Sequence, residues 1–572
     1  MLEGAFKSGK VLVTSAWPYI NVTPHLGNLV GSVLSADVAA RYYRLRGDDV
    51  LMVSGSDEHG TPIEVEALKQ GITPKALTDR NHAYVAELFR RWGASFDNYT
   101  RTENPVHKEF VRELLMKIYE RGYIFSEEAQ MLYCGHDQRF LPDRFVEGKC
   151  PYCGYEHARG DQCDQCGRLL ETTFLVEPHC VICGNAPVVK ATKHWYIDLS
   201  RLAEPLSEYI KGNKQLPANA KNFSLNWIKE GLKARAVTRD VEWGIPAPFP
   251  GAEGKTVYVW VEAVLGYVSA TIEYCRRVGK PELWREFWFN KDAKTLFFVG
   301  KDNIPFHTIL FPALLLASGE GYNLPWNVSA TEFLQFKGEK ASKSRRIGIW
   351  IDEALELFPV DYWRFFLIAT RPEAKDANFS WEFFADKINA DLNDTFGNFV
   401  HRTLTFINAR FDGAVPKTEK LTAEDEAVLQ SIRDKVTVMA EEIEAAKLQS
   451  ATNTLISLSR VGNQYLNEKE PWNLLKTDKA RAATVLHVAV QVVKALAVAS
   501  APIMPGSAEQ LWQTLGLSGS VHGCRWTEAL KPLEAGHKIA RATPLFRKID
   551  ATTEQLDERL VKVREKMANA KN

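Results

Sequence analysis

Short apolar runs that alternate with helical stretches constrain the fold of this chain more than any other feature. Val11–Ser15 and Val50–Ser54 are strand-like runs, and the stretch between them, Leu26–Arg46, has a helical pattern. Apolar strands that alternate with helices are typical of a parallel sheet covered on both faces. Val257–Val261 and Leu296–Val299 are predicted to be further strands of the same kind. We therefore expect an α/β fold with a Rossmann-type parallel sheet.

The pattern changes along the chain in a way that predicts several domains. A chain of 572 residues is long enough for three or more. Cysteines, glycines and prolines interrupt the sheet pattern, which indicates an insertion, and leucines at helical spacing towards the C-terminus predict an α-helical bundle. The expected division is a first half of the sheet domain in residues 1–112, an insertion in 113–236, a second half in 237–330, a connecting region in 331–390, the helical bundle in 391–540 and a tail in 541–572.

The charge balance and the apolar segments argue against an overall basic nucleic-acid-binding protein and against a membrane protein. Lys and Arg together number 71, as do Asp and Glu, so the formal net charge is zero. A nucleic-acid partner would therefore need a local basic face rather than an overall positive charge. The apolar stretch Val485–Met504 contains His487, Gln491 and Lys494, which favours a buried helix over a membrane span. No apolar signal region begins the sequence, so we expect a cytoplasmic protein without a membrane partner.

Polar residues gather where three of the predicted strands end. The three clusters are Pro24-His25-Leu26-Gly27-Asn28, Asp57-Glu58-His59-Gly60, and Gly300-Lys301-Asp302-Asn303 with His307. Ligands bind open α/β sheets at the carboxyl ends of the strands, so the clusters are predicted to converge on one crevice. A single histidine of this kind is more often a satisfied core group, but three clusters in register favour a functional site.

Two segments have features of phosphate binding. His25 and Asn28 lie where a helix begins, and its free N–H groups and positive dipole end favour phosphate. Much later, a loop of small residues carries Lys340 and Lys343, two cations suited to a departing pyrophosphate. Each segment is weak evidence alone, because the first pattern recurs by chance and a basic loop is usually a solvated turn.

The cysteine spacing predicts a structural zinc site. Of nine cysteines, seven lie within the insertion, where paired Cys-x-x-Cys motifs are typical of metal ligands rather than disulfides. Cys150 and Cys153 form one such knuckle, and Cys163 and Cys166 form another. Four thiolates make a closed tetrahedral site for Zn²⁺. The alternative is four reduced cysteines in a loop.

A second zinc site is a further hypothesis. Cys180 and Cys183 form a third knuckle, and Cys134 with Asp137 would complete its ligand set. His136 is the alternative fourth ligand, since imidazole is the commoner one. Both zinc ions would be structural, because neither set implies an open coordination position.

These segments together resemble the methionyl branch of the class I aminoacyl-tRNA synthetases. His25-Leu26-Gly27-Asn28 resembles the "HIGH" signature of the class, and Lys340-Ala341-Ser342-Lys343-Ser344 resembles its "KMSKS" signature. The further blocks that resemble the methionyl enzymes are Pro18-Tyr19, Asp57–Pro62, Trp243–Pro246, Tyr258–Trp260, Gly266-Tyr267 and Lys301–His307. The resemblance runs from about Val11 to about Lys476. The insertion is also too short for the hydrolytic editing domain of the isoleucyl, valyl and leucyl enzymes.

Three positions depart from the pattern of that family. Asn28 replaces the last histidine of the first signature, although an amide can still donate to phosphate. Ala341 replaces a larger apolar residue in the lysine loop, and Glu262 stands where the family usually has Asp.

The resemblance implies a site for ATP and one for methionine. For ATP it implies His25 and Asn28 on the phosphates, Gly27 against the nucleoside, Asp302 on the ribose, and Lys340 and Lys343 on the transition state and pyrophosphate. For methionine it implies Asp57 on the ammonium group and a pocket of Trp17 (through its backbone), Tyr19, Trp260, Ala263, Tyr267, Phe306 and His307. Aromatic rings suit a thioether, and the Tyr267 hydroxyl or a His307 N–H could reach its sulfur. From spacing alone, Trp260 and Tyr267 could equally be core aromatics.

The resemblance also implies the partners. Residues 331–390 would carry the KMSKS loop and contact the tRNA stem, and residues 391–540 would bind the anticodon. Trp472 would stack on a base while Asn398 and Arg402, which share one helix face, would read its edges. The expected ligands are tRNA(Met), L-methionine, ATP with Mg²⁺, one structural Zn²⁺ and a possible second. No C-terminal tRNA-binding β-barrel is visible, so a monomer is expected.

The expected activity is that of a class I methionine–tRNA ligase, and three alternatives remain. A non-catalytic synthetase-like RNA-binding protein would be expected to lose His25 or the lysine loop, and both are present. A zinc-dependent nucleic-acid-binding module would leave the strand-end clusters unexplained. A cysteinyl enzyme would carry a catalytic zinc beside the nucleotide site, whereas these cysteines are distant in sequence from the strand ends.

Overall fold

A five-stranded parallel sheet forms the centre of the computed structural model, which describes residues 8–160, 163, 165–166, 168, 170, 172–339 and 347–569. The strands are, in chain order, β1 (Lys10–Ser15), β2 (Asp49–Ser56), β3 (Asn98–Arg101), β4 (Ile124–Cys134), β5 (Arg139–Phe140), β6 (Val146–Lys149), β7 (Ala158–Arg159), β8 (Val176–Cys180), β9 (Val188–Ile197), β10 (Arg235–Ala236), β11 (Thr238–Arg239), β12 (Thr256–Val257), β13 (Lys294–Gly300), β14 (Asn327–Thr331), β15 (Leu334–Phe336) and β16 (Ala377–Phe379). The central order is β14-β13-β1-β2-β3. The predicted Rossmann-type sheet is confirmed.

Helices cover both faces of this sheet. They are Leu26–Asn28, which continues through the π-helical Leu29–Leu34 into Ser35–Arg46, then Thr61–Gln70, Pro74–Arg91, Pro105–Glu120, Val259–Arg277, Trp284–Trp288, the π-helical Phe306–Leu310 and Phe311–Ser318. Gly47 ends the first of them at a φ of 100°, a conformation that glycine adopts without a Cβ clash. Leu12 and Val13 of β1 point to opposite faces and are both fully buried.

The prediction of a core strand at Val257–Val261 was wrong. Only Thr256–Val257 is extended there, and it pairs antiparallel with β11 outside the central sheet. The helix Val259–Arg277 begins immediately afterwards. Its first residues alternate valine with aromatic residues, which favours a strand locally. The helix is apolar on most sides because it is enclosed between the sheet and the helix Pro105–Glu120, and this packing overrides the local preference.

The insertion contains two small antiparallel sheets. Strands β4 and β9 pair along their length, from Ile124 opposite Ile197 to Tyr133 opposite Val188. Strand β6 pairs with β7 and β8 to form the second sheet. The hydrophobic core between these sheets is small, and Cys134, Cys150, Cys163 and Cys180 are buried in it. A core of this size gains stability from a metal crosslink.

The C-terminal part is an α-helical bundle, as predicted. Its helices are Ile351–Leu357, Val360–Ala369, Trp381–Lys387, the π-helical Ile388–Gly397, Asn398–Arg410, Ala423–Glu444, Leu448–Lys469, Pro471–Thr477, Lys479–Ser500, Pro505–Thr514 and Thr553–Asn569. Lys479–Ser500 is long and apolar enough to cross a membrane, but 94% of its most apolar stretch is buried inside the protein. This helix is the centre of the bundle.

The last helix, Thr553–Asn569, packs back onto the protein. Leu556 and Leu560 are buried against the main core. Arg564 donates hydrogen bonds to Glu353 and to the carbonyl oxygen of Gly348, at 2.7 Å each. The C-terminal helix is therefore joined to the segment that follows the lysine loop.

Candidate functional site

The three polar clusters meet at one edge of the central sheet. Strands β13, β1 and β2 are adjacent and parallel, so their carboxyl ends lie side by side. The backbone continues this pairing beyond the strands. The amide of Ala16 donates to Phe298 O at 2.9 Å, and the amide of Asp57 donates to Pro18 O at 2.9 Å. The predicted convergence of these clusters therefore follows from the strand order.

His25 and Asn28 form the first turn of the helix that follows β1. Nδ1 of His25 accepts hydrogen bonds from the amides of Gly27 and Asn28, at 3.0 and 3.3 Å, and Oδ1 of Asn28 accepts one from the His25 amide at 3.1 Å. Since Nδ1 is an acceptor, the neutral ring carries its proton on Nε2. The side-chain donors of this turn are thus the Nε2–H of His25 and the amide of Asn28.

Gly27 has a structural reason to be glycine in addition to the one inferred from the sequence. A Cβ at this position would lie 2.9 Å from Cε1 of His25. A larger residue would displace the imidazole from its capping position.

Lys340 and Lys343 lie outside the described residues, but the chain that follows their loop reaches the His25 turn. The amide of Leu26 donates to the carbonyl oxygen of Ile349 at 3.0 Å, and His25 forms an isolated antiparallel bridge with Trp350. The segment that follows the lysine loop is thus hydrogen-bonded to the His25 turn, although more than 300 residues of chain lie between them.

Aromatic side chains from two helices gather beside these strand ends. Trp260 and Phe306 stack with ring centroids 4.3 Å apart. Tyr267 is buried and stands edge-on to Trp17 at 6.4 Å. Ala263 is buried one helical turn beyond Trp260 and one turn before Tyr267. The predicted pocket residues on the helix Val259–Arg277 therefore share one face.

The hydroxyl of Tyr267 and the imidazole N–H of His307 both donate hydrogen bonds within the protein. Nδ1 of His307 lies 2.9 Å from Asn303 O, so it must carry the proton and donate. Burial lowers the pKa of His307 to about 4, so the ring is neutral and Nε2 is an acceptor. The Tyr267 hydroxyl, 2.7 Å from Nε2, donates to it. The Tyr267 O–H and the His307 N–H, which the sequence suggested as donors to a thioether sulfur, are therefore both used in other hydrogen bonds.

Asp57 is a buried carboxylate that lacks a full set of partners. It is 3% exposed, and its Oδ1 has no hydrogen-bond partner among the described residues. Burial raises the pKa of Asp57 well above its usual value, and the negative charge of Glu262 adds to this effect. Such a carboxylate gains stability from a cation that enters the site. Tyr19 lies next to it through an isolated parallel bridge.

Comparison with known proteins identifies the family. The description "tRNA synthetases class I (M)" matches residues 11–404, and "Anticodon binding domain of methionyl tRNA ligase" matches residues 415–565. The chain belongs to the methionyl-tRNA synthetases of class I. The methionine–tRNA ligase of Caldivirga maquilingensis is 53% identical over 97% of this chain and 94% of its own. That of Aeropyrum pernix is 53% identical over 96% of each chain.

A solved structure of the same family has a similar fold. It is a Mycobacterium tuberculosis methionyl-tRNA synthetase in complex with methionyl-adenylate, with a TM-score of 0.79 and 26% identity, and the match covers 95% of this chain and 100% of that one. Asp302, the predicted ribose ligand of this synthetase, is exposed at the end of β13.

The sequence reasoning missed a charged network behind Asp57 in this synthetase. The buried ring of His59 lies between Glu262 and Glu103. The signal available in the sequence was the departure at Glu262, whose side chain reaches His59 with both oxygens. Spacing could not reveal the pair because 203 residues separate its members.

The first cysteine set of the synthetase has the dimensions of a zinc site. Sγ of Cys150 lies 3.9 Å from Sγ of Cys166, and Sγ of Cys153 lies 3.6 Å from Sγ of Cys163. A tetrahedron with Zn–S bonds of about 2.3 Å has S···S edges of about 3.8 Å. The four thiols therefore fit one Zn²⁺ without rearrangement.

The second set also fits a metal. Sγ of Cys134 lies 3.5 Å from Sγ of Cys183, and Oδ2 of Asp137 lies 3.3 and 3.0 Å from Sγ of Cys134 and Cys180. His136 is exposed, and its Nδ1 faces the other oxygen of Asp137 at 3.0 Å. The structure thus groups Asp137, and not His136, with the three cysteines.

The predicted anticodon residues of the synthetase lie together in the helical bundle. Asn398 and Arg402 line a surface cavity of about 630 Å³ between helices. The guanidinium of Arg402 lies 5.1 Å from the ring centroid of Trp472 and donates to Oδ1 of Asn467 at 3.2 Å. Trp472 stacks on Phe406 with centroids 6.3 Å apart, so one face of its ring already has a partner. Arg402 thus lines the cavity and also lies against the ring of Trp472.

Proposed function

We propose that this synthetase activates L-methionine with ATP at the strand-end site, releases pyrophosphate, and transfers methionine to the 3′ end of tRNA(Met). The chain is a class I methionine–tRNA ligase by family. The observation that supports the location of its chemistry is the meeting of the His25 turn, Asp57 and the end of β13 at one sheet edge. The relative with a TM-score of 0.79 is a complex with methionyl-adenylate.

In the first step, the carboxylate of methionine attacks the α-phosphate of ATP in line and pyrophosphate leaves. Nε2–H of His25 and the amide of Asn28 donate to the phosphates as charge develops. Lys340 and Lys343 neutralise the transition state and the departing pyrophosphate. No side-chain nucleophile takes part, so the rate enhancement comes from orientation and charge stabilisation. Mg²⁺ accompanies ATP as part of the substrate.

The nucleoside end of ATP is held separately from its phosphates. The Asp302 carboxylate, exposed at the end of β13, accepts hydrogen bonds from the ribose hydroxyls. Gly27 lets the nucleoside approach the backbone, because this position has no side chain.

Methionine is recognised at both of its ends. The buried Asp57 pairs with the ammonium group in a charge-assisted contact. The thioether packs among Trp17, Tyr19, Trp260, Ala263, Tyr267, Phe306 and His307. Since the Tyr267 hydrogen is donated to His307, the sulfur contacts ring surfaces and hydroxyl oxygen unless that hydrogen bond rearranges. An apolar pocket separates close analogues weakly, so homocysteine is an expected error.

In the second step, the terminal ribose hydroxyl of tRNA attacks the mixed anhydride, and AMP leaves. The 2′ hydroxyl is the expected nucleophile for a class I enzyme. The phosphate of AMP can accept the proton, so no strong general base is required of the protein.

The tRNA is read far from this site by the helical bundle. At their cavity, Arg402 donates to the base edges and the Asn398 amide both donates and accepts, while Trp472 offers a stacking surface. We assign residues 331–390 to the KMSKS loop and stem contact and residues 391–540 to anticodon binding. We further propose that the protein works as a cytoplasmic monomer.

The insertion is held by structural zinc. Cys150, Cys153, Cys163 and Cys166 would hold one ion, and a second would be held by Cys134, Asp137, Cys180 and Cys183. Each set already supplies four ligand atoms, so neither ion would have a position for substrate. Zinc would supply crosslinks to a small core rather than chemistry.

Amino-acid-dependent ATP–pyrophosphate exchange tests this proposal. We expect exchange with methionine alone among the twenty amino acids, and a strong loss in Lys343→Ala. Lys375→Ala, which removes a lysine of the same connecting region outside the loop, is the matched control and should retain activity. Exchange with another amino acid would disprove the pocket assignment, and full activity in Lys343→Ala would disprove the role of the loop.

A further inference from the structure

The ring of His59 lies between two carboxylates behind the proposed ammonium site. Its Nδ1 lies 2.8 and 3.0 Å from the two carboxylate oxygens of Glu262, and its Nε2 lies 2.8 Å from Oε1 of Glu103. An ionised carboxylate only accepts hydrogen bonds, so each ring nitrogen must carry a proton to donate one. With Glu262 and Glu103 both ionised, these distances therefore correspond to an imidazolium with two protons.

The surroundings of His59 favour this charged form. Burial alone would lower its pKa, but the charge of Glu262 and the hydrogen bonds to both carboxylates raise the pKa of His59 to about 10. Burial also raises the pKa of Glu262, and the charge of His59 opposes that rise. The charge of His59 thus favours the ionised form of Glu262, and the charge of Glu262 favours the imidazolium.

Among the described residues around the pocket, one carboxylate has no cationic side chain paired with it. His107, 3.9 Å from Glu262, is neutral because burial lowers its pKa to about 3. Oδ1 of Asp57 has no hydrogen-bond partner among the described residues. The matched pairs are Glu262 with His59, Glu103 with Lys108, and Glu58 with Arg101.

We propose that His59 is a positioning residue for methionine: it neutralises Glu262 and thereby leaves Asp57, among the described residues of the pocket, as the one carboxylate without a cationic partner for the substrate ammonium. The inference rests on the proposed role of Asp57. The backbone of His59 supports the same task, because its carbonyl oxygen accepts the Tyr19 hydroxyl at 2.5 Å and so holds the turn that carries Asp57.

Loss of the charge of either His59 or Glu262 changes the balance of charge around Asp57. Without the imidazolium, Asp57 and Glu262 are two unmatched buried carboxylates, and one ammonium group cannot compensate both. Without the carboxylate of Glu262, His59 contributes a positive charge that repels the ammonium group. Removal of both charges restores one unmatched carboxylate.

Three variants test by ATP–pyrophosphate exchange whether the charges of His59 and Glu262 compensate each other. They are His59→Gln, Glu262→Gln and the double variant. We expect each single variant to raise KM for methionine about tenfold or more while KM for ATP stays unchanged. We expect the double variant to return KM for methionine to within about threefold of the parent. A purely structural pair would instead show losses that persist or add in the double variant.

A matched control is His194→Gln. His194 is also a buried histidine paired with a carboxylate, since its Nε2 lies 3.0 Å from Asp240, but it belongs to the insertion. This variant should lower the melting temperature without a change in KM for methionine. An unchanged KM in His59→Gln, or no recovery in the double variant, would overturn the inference.

Two further measurements distinguish an error in the proposed ammonium site at Asp57 from an error in the role proposed for His59. Asp57→Asn should raise KM for methionine; if it does not, the proposed ammonium site itself is wrong. If His59→Gln does not fold, ¹⁵N-histidine spectra of the parent protein decide the matter. Of the thirteen histidines, at least one should remain doubly protonated at pH 9, where ordinary imidazoles are neutral. The absence of any such signal would contradict the imidazolium.

Discussion

Single residues show which parts of the site the sequence could predict. Resemblance implied Asp57 and Tyr267 as methionine ligands, and both side chains are buried in the structure. Resemblance could not give the tautomer of His307, because that depends on the Asn303 carbonyl in the folded chain. It also could not show why Gly266 is glycine. A Cβ there would lie 2.6 Å from the Trp17 ring.

Gly266→Ala should therefore damage the methionine pocket. The added methyl group must displace the Trp17 ring, which is also enclosed by Gly55. We expect a higher KM for methionine and a loss of about 1–3 kcal/mol in the free energy of unfolding. Exchange kinetics and denaturant unfolding measure the two effects. Gly212→Ala is the control, since a Cβ at Gly212 has no neighbour within 4 Å. Equal behaviour of the two variants would refute the packing argument.

The low pKa of His307 predicts a dependence of stability on pH. Its pKa is about 4 in the folded protein against an ordinary value of 6.5, so below pH 6.5 the unfolded chain binds a proton that the folded protein does not. Stability from this group is complete above pH 6.5 and is lost as the pH falls towards 4. At pH 5 the loss is about 2 kcal/mol. Denaturant unfolding of His307→Gln should show a correspondingly weaker dependence on pH between 7 and 5; the same dependence as the parent would contradict this.

At the scale of elements, local pattern predicted the sheet and the bundle but not the helix Val259–Arg277. Valine and aromatic residues favour strands, and only the neighbouring elements make this segment a helix. Three π-helical stretches were also unforeseen: Leu29–Leu34 follows the His25 turn, Phe306–Leu310 contains two pocket residues, and Ile388–Gly397 precedes Asn398. π-Helical turns often accompany functional sites, because the extra residue redirects a side chain. Their positions depend on tertiary packing, which a sequence pattern does not report.

The two cysteine sets should bind zinc independently. Each set has its own ligand atoms within 4.8 Å of one another. We expect two zinc ions per chain in the parent, and one in either Cys150→Ser or Cys180→Ser. Metal analysis after dialysis against a chelator gives the count. Cys524→Ser, outside both sets, is the control and should keep two. A parent with one ion would remove the second site from the proposal, and a parent with none would remove both.

At the scale of the whole molecule, a buried arginine joins the catalytic part to the helical bundle. Nη2 of Arg364 lies 2.6 Å from Oδ2 of Asp37, and both side chains are fully buried. The same guanidinium donates to the carbonyl oxygens of Trp92, Pro502 and Ile503. The sequence offered no sign of this junction, because its members are distant along the chain and none belongs to a motif. The pKa of Asp37 lies far below its ordinary value, because Arg41 and Arg364 outweigh the effect of burial.

Arg364→Met should therefore weaken the coupling between the anticodon site and the catalytic site. The variant leaves several buried carbonyl groups and part of Asp37 without a donor, for an expected loss of about 3–5 kcal/mol in the free energy of unfolding. Where the protein remains folded, aminoacylation of tRNA should fall more than ATP–pyrophosphate exchange, because only the former needs both parts in register. Arg276→Met, which removes an exposed arginine 3.2 Å from Glu109, is the control and should change neither. An equal fall in both reactions would indicate damage to the catalytic site itself rather than to the junction.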